Sequence, residues 1–221
     1  MYEYTTMYNS RNANTTLPQA MLDLDIFYLA SKLKYFVVAL TWQRIIKVSH
    51  ELYFFEEIMQ MIETNEVFQE VPIIKLYYHL TLALKQYAED NTHFNQAHEL
   101  LVKNGQQFSK YEARQLYSLA LNYCRWKINE GEIDYAKKAV DLYKTLLDYD
   151  IIYVGGYMKA EHFRNIVKVG LESQDLEWTS YVIDNYTQKI APEYRENIEN
   201  FSRAALSFAQ QNYKAAQEYL S

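Results

Sequence analysis

The chain has 221 residues, 49% of them hydrophobic, and a net charge of −6 at pH 7. That is enough apolar material for a well-covered core, and the acid excess excludes a general electrostatic grip on nucleic acid phosphates or an anionic membrane surface. A single cysteine, Cys124, excludes an internal disulfide framework and Cys-rich zinc sites. Set in "LYSLALNYCRW", it is expected to be a buried core thiol.

Residues 1–16, "MYEYTTMYNSRNANTT", carry neither a basic nor an apolar leader segment and read as a polar N-terminal arm or linker. The longest apolar stretch, Tyr35–Trp42, is flanked by Lys34 and Arg44 and falls well short of the ~18–20 residues that span a bilayer. No membrane span is therefore expected, and the location implied is cytoplasmic. Pro18, Pro72 and Pro192 each precede a long amphipathic run, as prolines in a first helical turn do. "TLPQ" (Thr16–Gln19) and "SKYE" (Ser109–Glu112) match the capping box, in which a hydroxyl and an acid or amide satisfy orphan backbone donors. Gly105 and Gly131 follow apolar-periodic segments as helix stops do. Three- and four-residue apolar spacing predicts helices over 19–47, 50–64, 72–89, 93–104, 110–129, 132–148, 157–172, 176–190, 192–211 and from 213 onward. No alternating run suggests a strand, and the short connections imply antiparallel neighbours. The 22 tyrosines suit half-buried seams between such helices.

A coarse repeat runs through these segments. The second helix of each pair opens with an aromatic soon after a polar break, at Phe94, Tyr135, Trp178 and Tyr213, with spacings of 41, 43 and 35 residues. The preceding helices match through Tyr77, Tyr117, Phe163 and Phe201, at intervals of 40, 46 and 38. Such a period predicts an all-α fold, a right-handed α–α solenoid of about five antiparallel helix pairs over residues 17–221. In the last pair, Ala204 and Ala216 stand twelve apart, with Tyr213 three before the second. This arrangement resembles the tetratricopeptide repeat (TPR), where small residues let paired helices approach closely. More broadly, "LDLDIFYLASKLKYFVVALTWQRI", "VPIIKLYYHLTLAL", "QLYSLALNYCRWKINEGE" and "RENIENFSRAALSFAQQNYKAAQEYL" resemble successive segments of a family of uncharacterised bacterial TPR-like proteins, from about Leu22 to Ser221. The resemblance implies a helical repeat fold within a longer chain and brings no activity or ligand with it. "NYKAAQEYLS" accordingly reads as an unfinished second helix, so the repeat domain is expected to be incomplete at its C-terminal end or to self-associate through an uncapped last repeat.

Motifs for chemistry are absent. None of His50, His79, His93, His98 or His162 has the Glu three residues earlier that di-iron bundles use. His93 and His98 diverge around a helix, and Glu89 with His93 offers only two ligands. Gly155–Gly156 lacks the lysine and hydroxyl of a phosphate loop and reads as a flexible helix connection. No catalytic, cofactor-binding or metal-ligating residue is assigned, and no cofactor. What remains is surface. If Tyr77, Tyr117 and Phe163 are equivalent, Lys85 aligns with Arg125 and Asn122 with Lys168. These four side chains, with Tyr77 and Tyr117, then form a donor-lined concave groove for an acidic or C-terminal peptide. The sequence thus predicts a non-enzymatic protein–protein interaction module, a scaffold or adaptor for a protein or peptide and not for nucleic acid. A ligand-sensing or regulatory domain of a larger protein, and an all-α enzyme with an unrecognised pocket, are the alternatives.

Overall fold

A computed structural model describes residues 13–88 and 90–221, with side chains from residue 16 onward. The described residues form eleven α-helices and two 3₁₀ turns, with no strand. The helices are α1 (Ala13–Ile46), α2 (Phe55–Thr64), α3 (Glu66–Gln69), α4 (Pro72–Lys85), α5 (Thr92–Asn104), α6 (Lys110–Asn129), α7 (Asp134–Asp148), α8 (Ala160–Glu172), α9 (Leu176–Tyr186), α10 (Pro192–Ala209) and α11 (Tyr213–Glu218). They divide into two compact units, one ending at Ala97 and the other running from His98 to Ser221, with the division inside α5. Most of the polar arm, residues 1–12, lies outside the described residues.

In the first unit α1 packs on α4, and α4 on the short α3 that follows α2. Leu29, Leu33, Phe36 and Val37 are the buried face of α1; Ile74, Tyr77, Leu80 and Ala83 are that of α4. Pro72 starts α4 and Pro192 starts α10, each where its missing N–H costs nothing. Pro18 differs from its predicted first-turn position. The helix runs back to Ala13, so Pro18 lies inside α1 and removes one i→i−4 bond there.

In the second unit α6 packs on α7, α7 on α8, α8 on both α9 and α10, α9 on α10, and α10 on α11. One turn geometry recurs. Helix α6 ends with Gly131 at φ 96°, its N–H bonded to the Ile128 carbonyl while the Glu132 N–H reaches back to the Lys127 carbonyl, both at 2.9 Å. This two-bond closure with a left-handed residue is the Schellman motif. Helices α7, α8 and α10 end the same way at Asp150, Gln174 and Gln211, with φ of 53°, 61° and 62°. A side chain with a Cβ is disfavoured in that conformation. Gln174→Gly and Gln211→Gly are therefore expected to raise unfolding stability by about 0.5–1 kcal/mol each, read from urea melts.

After Gln174 and Gln211 the very next residue caps the following helix. Asp175 accepts from the Trp178 N–H at 3.1 Å, and Asn212 from the Ala215 N–H at 3.2 Å. Aligned on Gly131, Gln174 and Gln211, the three helix pairs place Cys124, Val167 and Ala204 seven residues before the turn. Ala136, Thr179 and Ala216 fall five after it. All six are buried. Here the sequence landmarks need correcting: Tyr117 and Phe163 are buried, but Phe201 is 59% exposed and its neighbour Ser202 takes the inward position.

Two glycines play parts other than those predicted. Helix α5 does end at Asn104, but Gly105 is buried, opens a 3₁₀ turn and has no positive φ; its missing side chain makes room for the Tyr117 ring. Gly155 and Gly156, at φ 62° and 86°, form a tight two-residue turn closed by reciprocal Val154 and Tyr157 backbone bonds of 2.9 and 3.2 Å. Two positive φ values in a hairpin turn are what paired glycines supply, so this connection is an ordered turn. It continues into a 2.7 Å bond from the Met158 N–H to the Lys189 carbonyl.

Candidate functional site

Of the six residues the sequence nominates, the structure brings four to one groove: Asn122, Arg125, Lys168 and, buried in its lining, Tyr117. Asn122 and Arg125 on α6 face Lys168 on α8 across a groove floored by Ala139 and Tyr143 of α7. Counted back from the turn residues Gly131 and Gln174, Arg125 and Lys168 occupy the same position, six before each turn. Asn122 and Asn165 match in the same way, nine before. The sequence alignment had set Asn122 against Lys168; the turns shift that register by three residues. The groove is thus a ladder, an asparagine and a cation from each of two first helices.

Tyr77 and Tyr117 are 1% and 0% exposed. Both belong to the core, and Tyr117 also contributes to the wall of the larger of the groove's two hollows. Tyr117 serves the fold, donating its hydroxyl to the Leu101 carbonyl at 2.8 Å. Lys85 lies in the first unit, on a separate wide groove of about 1090 Å³ between the C-terminal ends of α1 and α4 and the 47–54 segment. Its ammonium sits 5.2 Å over the Phe55 ring.

Sequence spacing missed the rest of the α6–α8 groove: Ser118 and Arg114, one and two turns before Asn122 on α6, and His162 and Asn165 on α8. Only the Gly131–Gln174 register could have found Asn165. Two connected hollows of about 70 and 150 Å³ share Leu121, Asn122, Arg125, Tyr143 and Asn165. A water occupies about 30 Å³ of liquid, so these admit a carboxylate or a side-chain tip. Cofactor-sized pockets begin near ~300 Å³.

Three cations, Arg114, Arg125 and Lys168, outnumber the two carboxylates of the lining, Glu161 and Glu172, which favours an anion. Arg125 donates to the Asn122 amide oxygen at 3.1 Å, and Arg114 to the Ile151 carbonyl at 3.2 Å. Both guanidiniums are held by neutral oxygens, and among the described residues neither forms an ion pair. Lys168 stands 3.6 Å from Glu172 in an exposed pair that contributes little by itself. Burial lowers the pKa of His162, so it offers a neutral imidazole. Burial raises that of Tyr143, with Arg125 pulling the other way, so its hydroxyl stays protonated. Burial likewise raises the Cys124 thiol, whose core placement matches its sequence setting.

No described group of three or more His, Cys, Asp or Glu side chains has metal-binding geometry. Glu89 lies outside the described residues, and His93 instead faces His79, their Nδ1 atoms 3.1 Å apart. One Nδ1 must donate and the other accept, so a second proton would set two N–H groups against each other. Burial, then His93 and Lys75, lower the His79 pKa from 6.5 to about 4. The folded form resists a proton that the unfolded chain accepts, so stability is full above pH 6.5 and falls between pH 6.5 and 4. After solvent screening of this part-exposed ring the expected loss is on the order of 1–2 kcal/mol. Urea melts of His79→Gln across that range should show a shallower decline.

No described helix is long and apolar enough to cross a membrane. Comparison with models of known families, with curated proteins and with solved structures returned no match.

Proposed function

We propose that the chain is a non-enzymatic protein–protein interaction module, a TPR-like scaffold or adaptor whose α6–α8 groove receives an acidic segment or a free C-terminal carboxylate of a partner. The observation that carries this is the pair of cations, Arg125 and Lys168, at one repeat position of successive helices, each with an asparagine one turn away. A guanidinium held by a neutral amide offers its remaining N–H donors in a planar fork suited to a carboxylate. The second cation one repeat on gives a peptide two anchoring points, and Asn122 and Asn165 can bond its backbone in either direction. The recurring left-handed turns, with small residues such as Ala204 and Ala216 near them, support the TPR-like part of the proposal. The groove's hollows, at about 70 and 150 Å³, suit a side-chain tip or a carboxylate better than a cofactor, which favours the binding reading.

The test is fluorescence polarisation against peptides rich in Asp and Glu, each made with a free and an amidated C-terminus. Micromolar binding that falls at least tenfold in Arg125→Glu/Lys168→Glu, with unchanged circular dichroism, is expected. Binding untouched by that double substitution would remove the groove from the account.

A further inference from the structure

Helix α1 has two apolar faces, and only one is buried. Opposite the side that packs in the first unit, Leu17, Met21, Leu24, Tyr28, Tyr35, Trp42 and Ile45 are between 44% and 69% exposed. They follow steps of four and three residues, with Ser31 and Val38 completing the pattern. This is the a/d seam of a coiled coil sustained for about four heptads. At ~1.5 Å per residue it is about 42 Å long. An apolar stripe of that length is unusual on an isolated surface. Its period is matched by another helix carrying the same stripe.

We propose that the stripe is a self-association surface, on which α1 of a second copy of this chain docks antiparallel about a two-fold axis near Tyr28 and Ser31. The charges choose the direction. Asp23 and Asp25 lie on the N-terminal side of that axis, and Lys32 and Lys34 on the C-terminal side. Asp25 and Lys32 both flank the seam at the position following a d residue. An antiparallel pair centred there sets Asp25 beside the second copy's Lys32, and the two-fold repeats the contact. A parallel pair would set acid on acid and base on base. Lys32 lies over the Phe36 and Phe54 rings at 5.3 and 5.9 Å, so in the dimer its flexible stem swings from those rings to the second copy's Asp25.

The area is also of the right order. An aromatic side chain carries about 150–250 Å². Phe27, Tyr28, Tyr35 and Trp42, roughly half in water, thus expose on the order of 400 Å². The aliphatic members of the stripe bring the total toward the ~800 Å² per partner of a standard interface. This proposal is independent of the α6–α8 groove and of the uncapped C-terminal repeat considered from the sequence.

Sedimentation velocity of the whole chain from 1 to 100 μM is the test. A dimer is expected. Tyr28→Glu/Tyr35→Glu, both on exposed positions, should weaken it at least a hundredfold with unchanged circular dichroism. Asp25→Lys should weaken it about tenfold, and Asp25→Lys/Lys32→Asp should restore it. A monomer at 100 μM, including one whose residues 1–12 cover the stripe, would overturn the proposal. So would a dimer indifferent to Tyr28→Glu/Tyr35→Glu, which would place the contact elsewhere. Failure of the charge swap to restore association would overturn the antiparallel arrangement.

Discussion

Replacing Gly105 with alanine is expected to destabilise the chain by about 2–4 kcal/mol. The backbone there needs no left-handed conformation, so chain entropy is not the cause. Space is. A methyl group at Gly105 would stand 2.8 and 2.9 Å from the Cζ and Cε2 atoms of Tyr117 and closer still to its hydroxyl oxygen. That ring is fully buried, and its hydroxyl holds the Leu101 carbonyl near the end of α5. Either the ring leaves its site or the helix end lifts. Overpacking of this kind costs about 1–3 kcal/mol and the lost buried hydrogen bond about 1 more. Tyr117→Phe alone should lose only about 1 kcal/mol. The double substitution Gly105→Ala/Tyr117→Phe should recover part of the loss, because the nearest atom is gone while the ring carbons at 2.8 and 2.9 Å still collide. Urea melts check all three; a Gly105→Ala chain within 0.5 kcal/mol of the parent would contradict this packing.

Phe163→Ala is expected to cost about 3–5 kcal/mol, whereas Phe201→Ala should change stability by less than about 0.5. Periodicity alone makes the two equivalent, as matching aromatics of the first helices of successive pairs. The structure separates them. Phe163 is 0% exposed on α8, which packs on α7, α9 and α10, so truncation leaves a cavity. Phe201 is 59% exposed on α10, where Ser202 points inward at 1%. A parallel pair of melts decides between the registers, and equal losses would restore the sequence alignment.

The helices themselves were legible because amphipathic spacing and proline placement are local signals. Ser109 caps α6 through the Glu112 N–H at 3.2 Å as its capping box implied. Glycine-based stops were legible only in part. Gly131 ends α6 in the left-handed state, but Asp150, Gln174 and Gln211 do the same without the residue that usually announces it. That hides the turn positions from which the registers of α6 and α8 are best counted. The three-residue shift carries into the groove: sequence spacing aligns Arg125 with Lys85 and Lys168 with Asn122, and gives no sign of Asn165. The burial of Tyr77 and Tyr117 is not legible in sequence, because a tyrosine at a helical seam and one inside a core leave the same trace there. Gly105 shows the same ambiguity, since a stop and a close approach both call for glycine. The outer face of α1 shares its amphipathic period with the inner one, so spacing could not tell which side would be covered.

The groove is tested most directly by titrating the ¹⁵N-labelled chain with an acidic peptide bearing a free C-terminal carboxylate and following its amide resonances. The account expects saturable shifts concentrated on Asn122, Arg125, Asn165 and Lys168, abolished when Arg125 and Lys168 are both replaced by glutamate. Shifts confined to other helices, or none at millimolar peptide, would contradict it.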